Sequence, residues 1–280
     1  MYTIGVSMGY DFVPEEAAFA AMEEAGIGAV ELSLRRDPDV DFAGIAAMCR
    51  RHGIRLWSCH LPCTPRDEMD ISLPDPAVRR EAVRRLTEMI RRSAQIGIDK
   101  FVVHPSVPLP EGADRAARLR CAADTLDKLA EIAHAEGAVI AVEDMILSCL
   151  GRNIDEMQTL LAANDKLRVC FDVNHLLSDT HADFVRRLGD KIVTVHISDY
   201  DGVNEKHWLP GEGVIDFPAV CDLLRGCGYE GVWIYELSLK GAKSADRGRF
   251  LTYRDFRRSA DIIFSGKNPP KITPDNLYPF

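Results

Sequence analysis

Short apolar runs and longer amphipathic segments alternate eight times along this chain of 280 residues. The runs are Thr3–Ser7, Ala29–Ser33, Arg55–His60, Lys100–His104, Val139–Asp144, Leu167–Asp172, Lys191–Ser198 and Gly231–Leu237. Most are β-branched and nearly continuous in apolar residues, the pattern of parallel strands buried on both faces. The segments between and after them read as helices: Pro14–Ala25, Phe42–His52, Pro76–Ile96, Ala113–Glu136, Ile154–Ala163, Ala182–Leu188, Phe217–Cys227 and Ser244–Phe264. Gly26, Gly53, Gly97, Gly137, Gly189 and Gly228 stand at helix ends, where a left-handed C-cap suits glycine. Pro14 and Pro76 stand near helix starts, where proline is tolerated. Eight strand–helix units in strict alternation predict an α/β fold, a single (β/α)8 TIM barrel over residues 1–265. A doubly wound open sheet is the alternative, although no Gly-x-Gly-x-x-Gly follows the first strand. Residues 266–280 carry Pro269, Pro270, Pro274 and Pro279. They read as an extended arm that packs on its own barrel, packs on a neighbouring subunit, or hangs loose.

Hydrophobic residues make up 46% of the chain and charged residues 28%, enough apolar material for a large core. No apolar run approaches the roughly 18 residues of a membrane span. The start, Met1 to Val6, has neither a basic segment nor a long apolar one, so it reads as a strand and not a signal peptide. Cys49, Cys59, Cys63, Cys121, Cys149, Cys170, Cys221 and Cys227 form no Cys-x-x-Cys pair. They read as reduced thiols of a cytoplasmic protein, with Cys170 a small core residue. A net charge of −9 argues against broad affinity for nucleic acid.

In a TIM barrel the chemistry sits at the C-terminal ends of the strands. Six consecutive strands here bring a carboxylate or an imidazole to that rim: His60, His104, Glu143 with Asp144, Asp172 followed by His175, His196 with Asp199, and Glu236. His207 lies in the loop after the seventh strand, so five of the eight histidines gather at one end. Singly, each reads as easily as a hydrogen-bonded structural residue or a loop cap. Together they crowd charge in a way that is costly unless a cation organises it. Glu143, Asp172, His196 and Glu236 make a mostly hard donor set, suited to one divalent ion of manganese, magnesium, cobalt or zinc. No cysteine stands at these strand ends, which argues against a thiolate zinc site.

The motifs around these residues are Val142-Glu143-Asp144, Phe171-Asp172-Val173-Asn174-His175, Val195-His196-Ile197-Ser198-Asp199, Pro210-Gly211-Glu212-Gly213-Val214-Ile215-Asp216-Phe217 and Trp233-Ile234-Tyr235-Glu236. In order and spacing the chain resembles the sugar phosphate isomerase/epimerase superfamily of xylose isomerase-like TIM barrels, which also includes the apurinic endonucleases. The resemblance runs from Ile4 to about Phe264. It implies a divalent metal on Glu143, Asp172, His196 and Glu236, with Glu143 and Glu236 also serving as the catalytic acid/base pair. It implies substrate contact by His175, and we place His60, His104, His207 and Trp208 in the same substrate-binding group. The implied reaction is isomerisation or epimerisation of a small sugar, keto-sugar or polyol-derived substrate through an enediolate. A homo-oligomer fits the resemblance, and neither a nucleic acid nor a membrane is expected as a partner.

Three other readings use the same scaffold: a dehydratase of a hydroxy-ketone, an apurinic endonuclease-like multi-zinc phosphodiesterase, and a sugar-binding relative without activity. The endonuclease branch uses more histidines, and this chain offers them. Where that branch has Asp-x-His after the seventh strand, this chain reads Glu205-Lys206-His207. Trp57 reads as core. Trp208 is either a lid or a surface residue. Lys206 and Lys240 are candidates for an acidic group on the substrate, and Glu212 for a supporting contact. The arginines between Arg79 and Arg92 interleave with apolar residues and read as the solvated face of a helix.

Overall fold

The computed structural model describes residues 2–9, 12–33, 40–240 and 247–273. Its strands are β1 (Thr3–Ser7), β2 (Ala29–Ser33), β3 (Arg55–His60), β4 (Lys100–Val103), β5 (Val139–Glu143), β6 (Arg168–Asp172), β7 (Ile192–Ile197) and β8 (Val232–Tyr235). They follow one another round a closed parallel barrel, and β8 returns to β1 with Thr3 opposite Val232 and Val6 opposite Tyr235. That closure excludes the open sheet.

The outer ring comprises α1 (Glu16–Glu24), α2 (Phe42–Arg51), α3 (Arg66–Met69), α4 (Pro76–Ala94), α5 (Arg115–Ala135), α6 (Ile154–Leu161), α7 (His181–Leu188), α8 (Phe217–Gly226) and α9 (Tyr253–Phe264). The side chains of Asp41, Asp75, Asp114, Asn153, Thr180 and Asp216 accept hydrogen bonds from first-turn N–H groups. These caps fix where the helices begin. Among the described residues no helix is long and apolar enough to cross a membrane.

Two expectations are corrected, and one helical turn is added. The last helix begins at Tyr253 and not at Ser244: residues 247–252 form a loop, and 244–246 lie outside the described residues. The single turn α3 lacks any apolar period and leaves no signal in the sequence. Gly189 is not a left-handed cap, because its φ is −61°. A Cβ there would stand 2.8 Å from Cys227 Cβ, so close packing is what requires glycine.

Strand residues alternate between two environments. One set, including Val30, Phe101, Ile140, Phe171, Val195 and Trp233, packs outward into the main core beneath the helices. The other set faces the barrel axis, and its lower layer is apolar: Ala29, Trp57, Val232 and Ile234 cluster on one side, Val102, Ala141 and Cys170 on the other. Trp57 is 7% exposed, and its Nε1 donates across the barrel to Thr194 Oγ1 at 3.1 Å. The register between β2 and β3 shifts at this point, with Val30 opposite Leu56 but Glu31 opposite Ser58.

The start of the arm lies on its own barrel. Ile272 is buried, and Asn268 Oδ1 accepts from the Phe217 N–H at 3.0 Å. The Pro269 carbonyl approaches Gly211 so closely that a Cβ there would stand 2.1 Å from its oxygen. Pro274 and Pro279 lie outside the described residues.

Candidate active site

Two residues above the apolar layer, the same strands change chemistry. Ala141 on β5 gives way to Glu143, Cys170 on β6 to Asp172, Thr194 on β7 to His196, and Ile234 on β8 to Glu236 just past the strand. Donor atoms of Glu143, Asp172, His196 and Glu236 all lie within 4.8 Å of one another, and all four side chains are buried. His196 Nδ1 is 3.0 Å from Glu143 Oε1, 3.0 Å from Glu236 Oε2 and 4.0 Å from Asp172 Oδ2.

Two further groups flank this one. His60, His104 and Glu143 form the first, with His104 Nε2 2.9 Å and His60 Nε2 3.2 Å from Glu143 Oε2. His175, Glu205 and His207 form the second. Glu143 therefore turns Oε1 toward the central group and Oε2 toward the first flanking group.

The tautomers follow from fixed acceptors. A backbone carbonyl only accepts, so the ring nitrogen that faces it carries the proton. His60 Nδ1 faces the Leu61 carbonyl at 2.9 Å, His175 Nδ1 the Asp144 carbonyl at 2.8 Å, and His207 Nδ1 the Glu236 carbonyl at 2.9 Å. In the neutral ring the other nitrogen then offers a lone pair, and in each case it is aimed at carboxylate oxygens. His175 Nε2 and Asp172 Oδ2 are buried without a hydrogen-bond partner and stand 3.5 Å apart. Two lone pairs facing each other in a buried site call for a cation between them, and these donors fit a divalent ion.

Without a metal, protons must supply the balancing charge. Burial opposes a charge on His104, but Glu143 and the Cys63 thiol outweigh it and push the ring up to about 9. His175 is likewise raised against burial, chiefly by Asp172 and Glu205. Burial raises Glu143, but His104 and His196 outweigh it and hold the carboxyl well below its ordinary value. Asp172 is pushed up to about 6, first by burial and then by Glu236 and Glu143.

A cavity of about 180 Å³ opens above these groups. His104, His175, His207, Glu205 and Glu236 line it, together with Met145, Val107, Cys63 and Arg66. Glu143 and His60 are absent from the lining and have no exposed surface. His60 thus meets Glu143 and His104 behind the wall, away from the place expected of a substrate contact. Trp208 is also absent from the lining; its backbone pairs with Asp199 in both directions, at 2.8 and 3.0 Å. Lys206 pairs with Asp201 at 3.1 Å, and Lys240 does not line the cavity. Glu212 is held in a buried, two-pronged pair by Arg247 and accepts from the Leu209 N–H at 2.8 Å. On α4, Arg84 and Arg85 pair with exposed Glu81, as a solvated face does.

Two residues near the centre escape the sequence reading. Cys170 has its sulfur within 4.8 Å of donor atoms of Glu143 and His196, so a thiol does lie beside the hard donors. It points there because it stands two residues before Asp172 on the same face of β6. Glu31 on β2 is fully buried, and its oxygens stand 3.0 and 3.1 Å from His196 Nε2. Its signal is a single carboxylate inside an otherwise apolar parallel strand, Ala29-Val30-Glu31-Leu32.

A closed parallel barrel whose carboxylates and imidazoles converge at the strand ends defines the class as a TIM barrel with a candidate metal centre at its mouth. The sequence pattern of the xylose isomerase-like TIM barrel family matches residues 19–252, and the chain belongs to that family. The uncharacterized protein ML2432 of Mycobacterium leprae (strain TN) is 25% identical over 269 residues, covering 85% of this chain and 89% of its own. A probable endonuclease 4 of Acholeplasma laidlawii (strain PG-8A) is 27% identical over 172 residues, covering 54% of this chain and 58% of its own. The structure of an L-ribulose 3-epimerase superposes with a TM-score of 0.79 at 22% identity, covering 95% of this chain and 94% of that one. At that identity the superposition speaks for the fold alone.

Proposed function

We propose that the protein is a divalent-metal-dependent isomerase or epimerase of a small sugar, keto-sugar or related polyol. The observation that carries this reading is the cavity of about 180 Å³, which ends on Glu236, His175 and His207. It is smaller than the roughly 300–1,000 Å³ of drug-sized pockets, and it suits a polar molecule of a few carbons. The family membership and the fold shared with an L-ribulose 3-epimerase support it.

Glu143, Asp172, His196 and Glu236 would hold the metal. A C–H beside a carbonyl is too weak an acid for a carboxylate alone, and a bound divalent ion supplies several kcal/mol of stabilisation to the enediolate charge. Glu236 faces the cavity and takes the proton. The proton then returns from the same carboxylate to the neighbouring carbon, which isomerises, or a second group on the opposite face, already protonated, gives its own proton to the same carbon, which epimerises. Glu143 is held ionised, has no exposed surface and is absent from the cavity wall, so it is not placed to be that donor. His104, His175 and His207 on the wall orient the hydroxyl groups.

One observation favours a second reading. Glu143 shares its two oxygens between the central group and the His60–His104 group, and His175, Glu205 and His207 make a third. That is the donor pattern of a multinuclear centre for hydrolysis, as in the apurinic endonuclease branch. Against it, Arg66 is the one arginine or lysine on the cavity wall among the described residues, and a DNA backbone asks for many.

Incubation of the metal-loaded protein with 2-keto-pentoses and 2-keto-hexoses in D2O separates the two readings. We expect deuterium to enter at the carbon beside the carbonyl of at least one sugar, seen by proton NMR, and to be lost with Glu236→Gln. No incorporation into any sugar, with cleavage of an abasic duplex, would replace the first reading by the second.

A further inference from the structure

We propose that Glu31 is a positioning residue: it holds His196 in the Nε2–H tautomer, so that Nδ1 is delivered to the metal, and it thereby sets the metal affinity of the centre. The inference rests on the metal-centre reading of the barrel mouth and not on which reaction that centre performs.

Three donors surround the Glu31 carboxylate. Ser7 Oγ on β1 donates to Oε1 at 2.9 Å, and Ser58 Oγ on β3 donates to Oε2 at 2.7 Å. His196 on β7 approaches both oxygens through Nε2, at 3.0 and 3.1 Å. A carboxylate with donors on both oxygens is acceptor only, so the His196 nitrogen facing it carries the proton. The ring then turns Nδ1 to Glu143 and Glu236, 3.0 Å from each. Donors from three other strands, β1, β3 and β7, thus converge on this one carboxylate of β2.

The placement separates Glu31 from the reacting groups. It has no exposed surface and is absent from the cavity wall, so it is not placed to touch a substrate. A further carboxylate beneath Glu143, Asp172 and Glu236 adds like charge to a site already rich in it, which is costly as packing alone. The register shift between β2 and β3 sets Ser58 opposite Glu31, and bulges commonly re-aim side chains beside active sites. A carboxylate on the outer nitrogen of a ligating histidine fixes the ring and raises its strength as a ligand, and its loss weakens metal binding about 10- to 100-fold.

The test titrates the full chain, stripped of metal, with Mn²⁺ and Zn²⁺ in competition with a chelator, and follows metal-free unfolding in parallel. Glu31→Gln keeps the shape and removes the charge. We expect its affinity for both ions to fall about 10- to 100-fold, with the unfolding midpoint of the metal-free protein close to that of wild type. Wild-type affinity in Glu31→Gln overturns the proposal. A lowered midpoint with unchanged affinity overturns it too, by making Glu31 structural only. Should Glu31→Gln not fold, Ser58→Ala keeps the carboxylate and removes one of its anchors; a several-fold weaker affinity is expected, and an unchanged one overturns the proposal. A wild-type protein that takes up no ion would instead overturn the metal-centre reading itself.

Discussion

The floor and the mouth of the barrel are built from the same strands, two residues apart, and both are buried. On the floor, Ala29, Trp57, Val232 and Ile234 pack against one another, and the single indole N–H finds Thr194. At the mouth, Glu31, Glu143, Asp172, His196 and Glu236 are no more than 1% exposed, yet Asp172 Oδ2 is left without a hydrogen-bond partner. Apolar burial stabilises the first layer. Burial of like charges costs stability in the second, and only a cation or added protons offset it. The difference shows where this fold stores chemistry: the floor and the outer core hold the barrel closed, and the mouth carries groups that folding alone does not reward.

The largest expected break in that contrast is chemical. Glu236→Gln should lower turnover of whichever sugar exchanges deuterium by about 10²- to 10⁴-fold, the usual worth of a general acid–base group, while the unfolding midpoint stays at or above wild type. Wild-type turnover would remove Glu236 from proton transfer. The converse experiment is Trp57→Ala on the floor. It should cost about 3–5 kcal/mol in urea unfolding and leave metal uptake per folded molecule unchanged. A cost below about 1 kcal/mol would mean that the floor relaxes around the missing indole.

A subtler effect is the pH dependence of the mouth. His104 holds its proton up to about 9 in the metal-free protein, against 6.5 for an ordinary histidine. Its stabilising contribution is full below about 6.5 and is lost as the pH rises through about 9. A metal ion supplies the same positive charge without titrating in that window. Calorimetry from pH 7 to 10 should show the metal-free midpoint falling while the loaded one holds, so that their gap widens. Parallel curves would contradict the assignment of charge to His104. The smallest effect belongs to the exposed helices. Arg84 on α4 pairs with Glu81 at 2.8 Å, but both side chains are about half exposed or more. Arg84→Ala should leave the unfolding midpoint unchanged within error.

The barrel was legible because its signals are local and repeated. Every strand was placed to within about two residues, since buried parallel strands read as apolar runs closed by glycine or a polar residue. The family resemblance drawn from Glu143, Asp172, His196 and Glu236 agrees with the match over residues 19–252. Less legible was anything set by three-dimensional approach. Gly189 reads as a cap, but it is glycine because Cys227 lies against it. His60 and His104 both end strands, yet one is behind the cavity wall and the other on it. Glu31 passed as an ordinary strand residue, because its partner His196 is 165 residues away and only barrel closure joins them.

Metal content tests the barrel mouth most directly. It is read by elemental mass spectrometry on protein purified without added metal or a metal-affinity tag, for wild type and Glu236→Ala. We expect at least one divalent ion per chain in the wild type, lost in the variant. One ion would favour the isomerase or epimerase reading, and two or three would favour the hydrolytic one. No ion in the wild type, and none taken up when manganese, zinc or cobalt is offered, would contradict a metal centre in this barrel.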